Sequence, residues 1–144
     1  MPGEHNGVED REDQLRTGGD VRLSVPAAPE YLRLVRLTAA GLASRLGFTF
    51  DEVEDLRIAV DELCFHLLGD VDDDVDLDAG GRTMDLVYSA RPDSITITGR
   101  TGLSGGIPEP SDLSEQILDA LVDEHEVSNG DGMVNFRLTK RRES

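Results

Sequence analysis

Between Asp51 and Leu68 the apolar residues Val53, Leu56, Val60, Leu63 and Leu67, with Ala59 beside them, recur at the spacing of a single helix face. A stripe of that width has to be buried against a second layer. The flanking sequence supplies one. Val21 to Val25 alternates apolar and polar, the mark of a strand with one buried face, and Pro26 and Pro29 end it. Thr83–Ser89 and Ser94–Thr98 read as two further strands joined by the hairpin signal Arg91-Pro92-Asp93, and Met133–Thr139 reads as a last strand after the turn Asn129-Gly130-Asp131-Gly132.

Helical spacing appears in two other places. From Ala28 to Leu46 it is carried by Tyr31, Leu34, Val35, Thr38, Leu42 and Leu46, with Gly47 as the C-cap. Asp112–Val122 is amphipathic through Leu113, Ile117, Leu118 and Leu121. The central helix opens at Thr49-Phe50-Asp51-Glu52, with Thr49 or Asp51 as N-cap and an acidic first turn that suits the helix dipole; Gly69 stops it. The order is β-α-α-β-β-α-β, with room for an extra strand at Val75–Leu77 and another at Glu126–Ser128. That order predicts an α+β fold: a two-layer sandwich with a mixed, mostly antiparallel sheet and helices on one face. Residues 1–20 read as a disordered acidic leader, 21–142 as the folded domain. Gly80-Gly81 reads as a turn, Thr101–Ser111 as a loop, and Lys140-Arg141-Arg142 as a polar tail.

Composition narrows the function. Thirty acidic residues against 14 basic ones leave a net charge of -16 over 144 residues. Nucleic-acid sites need a basic surface to release counterions, so direct contact with nucleic acid is not expected; attraction to a basic partner is. The single cysteine, Cys64, rules out an intrachain disulfide framework and points to a reducing cytoplasm. No run approaches the roughly 18 apolar residues of a membrane helix. Six aspartates between Asp70 and Asp78 lack the glycine and terminal glutamate of a calcium loop, and read as a solvated acidic loop with no metal site.

The stretch Thr49-Phe50-Asp51-Glu52-Val53-Glu54-Asp55-Leu56-Arg57-Ile58-Ala59-Val60-Asp61-Glu62-Leu63-Cys64 resembles the signature helix of the anti-sigma serine kinases, nearest to the actinobacterial anti-sigma-F group. These belong to the histidine-kinase-like ATPase superfamily and its Bergerat-type fold. The resemblance extends in element order from about Val21 to Arg142. It implies ATP and Mg²⁺ as cofactors, a sigma factor and an anti-anti-sigma (STAS-domain) protein as partners, and a homodimer. In that family a glutamate and, one turn later, an asparagine face the nucleotide, because positions i and i+4 share a helix face. Glu62 matches the glutamate, which acts as general base on an attacking hydroxyl. His66 stands at the asparagine position, and imidazole nitrogen is a poor ligand for Mg²⁺.

Two further motifs depart from the family pattern. Where it has Asp-x-Gly-x-Gly against the adenine, Thr101 is the nearest match to the aspartate, and Gly102 and Gly105 supply the glycines of a lid. Its phosphate-cradling Gly-x-Gly is replaced by Pro110-Ser111-Asp112-Leu113-Ser114, where Asp112 repels phosphate at a helix N-terminus that would otherwise attract it. The nucleotide pocket therefore reads as eroded. Cys64, beside the apolar stripe with no basic neighbour, reads as structural. The resemblance places Arg33, Leu34 and Arg36 in a contact zone for a protein partner.

Three functions follow. The chain sequesters a sigma factor without chemistry and is released by an anti-anti-sigma antagonist; or it is an ATP-dependent serine kinase acting on that antagonist; or it is an acidic scaffold with neither property.

Overall fold

The computed structural model describes residues 19–68, 82–102, 111–130 and 132–143, with the backbone alone at 66–68. The five described strands are β1 (Gly19–Pro26), β2 (Thr83–Arg91), β3 (Ser94–Gly102), β4 (Glu124–Gly130) and β5 (Met133–Arg141); the helices are α1 (Leu32–Arg45), α2 (Phe50–Leu68) and α3 (Asp112–Leu121). A 3₁₀ turn over Pro29–Tyr31 precedes α1, so the first helical turn expected from Ala28 is tighter than α-helical. The strands form one sheet in the order β1-β2-β3-β5-β4, and all four pairings are antiparallel. This is the expected α+β sandwich of two layers. Among the described residues no helix is long and apolar enough to cross a membrane.

Alternation along the strands decides which face is covered. Met84, Leu86, Tyr88 and Ala90 of β2, Ile95 and Ile97 of β3, and Val134, Phe136 and Leu138 of β5 all point to the helical side and are buried. Val35, Ala39 and Ala43 of α1 and Leu56, Ala59, Val60, Leu63 and Cys64 of α2 close on them. Each fully buried Leu, Val or Ile stabilises this core by about 1.5–3 kcal/mol. The Tyr88 hydroxyl donates to the Val35 carbonyl at 3.0 Å, tying the second strand to the first helix. Burial pushes that phenol's pKa up, so it stays a neutral donor.

The turn between α1 and α2 is fastened at several points. Thr49, one of the two expected caps, forms a capping box. Its hydroxyl accepts from the Glu52 amide at 3.1 Å, and the Glu52 carboxylate accepts from the Thr49 amide at 2.7 Å. The second Glu52 oxygen accepts from the Glu143 amide at 2.7 Å, so the end of the chain is held against this turn. Arg142 donates to the Leu46 carbonyl at 2.9 Å. Gly47 adopts a φ of 86°, which disfavours any side chain, and a Cβ there would also lie 3.0 Å from the Arg142 guanidinium.

Several boundaries differ from the sequence expectation. The first strand starts at Gly19, inside the stretch expected to be leader; residues 1–18 lie outside the described residues, as do 69–81 with the acidic loop, the Gly80-Gly81 turn and the Val75–Leu77 strand. Thr101 and Gly102 belong to β3 because Thr101 pairs with Met84 and Val134 and Gly102 with Met133. The extra strand expected at Glu126–Ser128 exists and runs from Glu124 to Gly130. Lys140 and Arg141 are strand rather than tail, and the Lys140 ammonium donates to the Leu121 carbonyl at 2.7 Å. Leu34, counted on the core face of its helix, is 48% exposed; Val35, one residue on, takes the buried position.

Candidate functional site

Glu62 lies on the fourth turn of α2, on the side where that helix meets α3. It is half-buried, and its carboxylate accepts a hydrogen bond from the Ser114 hydroxyl. The start of α3 explains why that hydroxyl is fixed. Ser111 is the N-cap, its side chain accepting from the Ser114 amide at 3.1 Å, so Ser114 is held in the first turn with its hydroxyl aimed back at α2. A carboxylate at a helix N-terminus is favoured by the dipole. Asp112 and Glu115 crowd the same turn with negative charge. Glu62 retains acceptor capacity beyond the one hydroxyl.

The other candidate residues divide sharply. His66 follows Glu62 by one helical turn, as the sequence required. Thr101 is only 1% exposed, and its hydroxyl donates to the Thr83 carbonyl at 2.9 Å, so it serves the β2–β3 ladder. Gly102 ends β3, where a Cβ would make ordinary contact with the Met133 sulfur at 3.8 Å; Gly105 lies outside the described residues. Cys64 is fully buried, and burial pushes its thiol pKa up, leaving a core residue and no nucleophile. Arg33 and Leu34 are exposed on α1, whereas Arg36 pairs with Asp61 of α2 at 3.2 Å.

Ser114 entered the sequence reading only as part of a replaced glycine motif. The signal that could have singled it out is the serine cap at Ser111, which puts position 114 in the first turn of a helix. An Mg²⁺ site beside Glu62 would need oxygen ligands. His66 offers nitrogen, and among the described residues no three His, Cys, Asp or Glu side chains stand close enough to share an ion.

A cavity of about 630 Å³ lies elsewhere, on the sheet face that the helices leave open. It is lined by Arg22, Asp85, Arg100, Glu126 and Arg137 among others, and by none of the candidate nucleotide residues.

No family model matches the chain. Local sequence matches are strong. The chain is 57% identical over 44 residues to a serine-protein kinase RsbW of Bacillus subtilis, a stretch covering 31% of this chain and 28% of that protein. It is 40% identical over 77 residues to the serine-protein kinase RsbW of Halalkalibacterium halodurans, covering 54% of this chain and 44% of that protein. The chain is a relative of the anti-sigma serine kinases. The match spans less than half the length of these curated relatives. In three dimensions, a crystal structure of the RsbU and RsbW domains of Rv1364c from Mycobacterium tuberculosis superposes on 86% of this chain and 32% of its own, with a TM-score of 0.63 at 17% identity. That likeness identifies the fold as the histidine-kinase-like ATPase type.

Proposed function

We propose that this anti-sigma kinase relative acts chiefly by sequestering an alternative sigma factor in the cytoplasm, with an anti-anti-sigma protein as the releasing antagonist and a homodimer as the working unit. One observation supports the reading: the carboxylate at the family's base position, Glu62, is engaged by the chain's own Ser114 hydroxyl. His66 at the metal-ligand position and Asp112 at the start of α3 add to it, since one is a poor Mg²⁺ ligand and the other repels phosphate. Sequestration asks only for a surface. Arg33 and Leu34 on the outside of α1 offer one, and the acidic charge suits a basic partner.

Reconstituted transcription tests this. The protein, without nucleotide, is titrated against each alternative sigma factor of the source cell before core polymerase is added. Loss of transcription with one of them is expected, reversed by the antagonist. If every sigma factor still directs transcription at full rate in the presence of excess protein, the reading is wrong.

A second reading, an active serine kinase using Mg-ATP, draws on the same contact. A serine hydroxyl donating to a carboxylate is the geometry that general-base activation of an acceptor serine requires. Gly102 and Gly105 would then belong to a nucleotide lid. Calorimetric titration with Mg-ATP separates the two: micromolar binding favours the kinase, and no heat favours sequestration.

A further inference from the structure

The bond between Glu62 and Ser114 has apolar neighbours that a buttress between two helices does not need. Ile58 stands one turn before Glu62 on α2 and Phe65 just under one turn after it, so both share its helix face. They are 49% and 62% exposed. Leu113, the residue before Ser114 in the first turn of α3, is 66% exposed. Three of the six large apolar side chains left in solvent among the described residues therefore flank one carboxylate. Apolar side chains gathered in solvent around a polar group mark a place where another chain docks.

In the free chain that carboxylate holds a serine hydroxyl which the local fold can release. The first turn of α3 does not depend on it: the Ser111 side chain accepts from the Ser114 amide at 3.1 Å, and the Ser111 carbonyl accepts from the Glu115 amide at 3.0 Å. The helix is anchored at its other end, where Leu118 is buried and the Leu121 carbonyl accepts from Lys140 at 2.7 Å. Asp112, Leu113 and Glu115 are exposed, so among the described residues the Ser114 hydroxyl alone bonds this first turn to α2. Rotation about its Cα–Cβ bond to another staggered position frees Glu62 without moving either helix.

We infer that Ser114 is a built-in competitor: in the free chain it fills the position on Glu62 that a protein partner's serine hydroxyl takes on docking, and so sets how readily that partner binds. This rests on the preceding reading, in which the partner is the releasing antagonist, and adds how its binding is regulated. The present occupant identifies the next one, because the carboxylate already accepts from a small neutral donor. Ile58, Phe65 and Leu113 supply the surrounding area that a protein segment can cover and a water molecule cannot. Competition lowers the partner's apparent affinity by the fraction of time the carboxylate is open. A hydroxyl that adds little to the stability of α3 closes it about half to two-thirds of the time, so its removal should tighten binding about two- to threefold.

Calorimetric titration with the antagonist that reverses sequestration, in the absence of nucleotide, is the test, with circular dichroism checking that each variant folds. Ser114→Ala should tighten binding about two- to threefold, and Ser114→Thr, which keeps the hydroxyl, should bind as the native chain does. Glu62→Ala should weaken binding about fivefold or more, and adding Ser114→Ala to it should change nothing further, since no acceptor is left to free. Replacing the antagonist's serines by alanine one at a time should find one whose loss cancels the gain from Ser114→Ala. A Ser114→Ala chain that binds no better than the native one, or that still gains in the Glu62→Ala background, overturns the competition alone. So does a gain that is cancelled by loss of a lysine or arginine of the antagonist and by loss of no serine. An antagonist that binds neither the native chain nor any variant overturns the preceding reading and this one with it.

Discussion

Helix α2 carries two glutamates with opposite circumstances. Glu52 is 5% exposed and accepts from two backbone amides, those of Thr49 and Glu143. Glu62, ten residues on, is half-buried and accepts from one side-chain hydroxyl. Glu52's hydrogen bonds come from backbone that cannot move without unfolding the α1–α2 turn. Glu62's partner is a rotatable hydroxyl that can swing away. A carboxylate saturated by main chain is committed to the fold; one held by a single side chain is available for binding or for proton transfer. The sequence shows both as acidic residues on one helix, and only their donors tell them apart.

Breaking the comparison at Glu52 has the largest expected effect. Glu52→Ala strands the Thr49 and Glu143 amides and frees the end of β5, which should cost about 2–4 kcal/mol in urea or thermal unfolding. A loss below about 1 kcal/mol would mean that water replaces the carboxylate freely and that the turn is not fastened as described.

The same residue gives a pH signature. Burial alone would raise the Glu52 pKa, but the amides of Glu143 and Thr49, the Thr49 side chain and nearby Lys140 together hold it below the usual glutamate value. A carboxylate whose folded pKa is depressed adds stability that is complete above its unfolded pKa, about 4.3, and is lost as pH falls through the folded value. The stability gap between the native chain and Glu52→Gln should therefore be constant from pH 7 to about 5 and close below about 4. Comparing the two proteins cancels the relief of self-repulsion that acid brings to so acidic a chain. A smaller loss, about 1 kcal/mol, is expected for Thr49→Ala, which removes the other half of the capping box.

The sequence made the central helix and the β2–β3 hairpin legible because each is local, through periodicity and through Pro-Asp between two β-branched runs, and it narrowed the helix cap to Thr49 or Asp51. What it hid depends on distant partners. β3 runs to Gly102 because Arg100 and Thr101 find register partners on both β2 and β5, although Arg-Thr-Gly looks like loop. β4 was visible only at its centre, since Glu124 and His125 become strand by lying against Thr139 and Leu138. Arg142 and Glu143 act on a turn some 90 residues earlier. The Glu62–Ser114 contact, 52 residues apart, has no local signal at all. The position of Glu62 was legible from the motif; its partner was not.

The smallest expected effect is at Glu62, and it sharpens the comparison most. Glu62→Gln keeps an acceptor for the Ser114 hydroxyl and adds a donor, so stability should change by less than about 0.5 kcal/mol. Ser114→Ala should be comparably mild, because the Ser111 cap still holds the first turn of α3 through the main chain. Near-neutral stability for both, alongside the large loss at Glu52, would mark Glu62 as free of structural duty. A loss of about 1.5 kcal/mol or more in both, with the double variant no worse than either, would instead make the pair a clamp between α2 and α3. In that case the carboxylate at the family's base position would have been taken over by the fold, and any phosphate transfer by the protein should be indifferent to its removal.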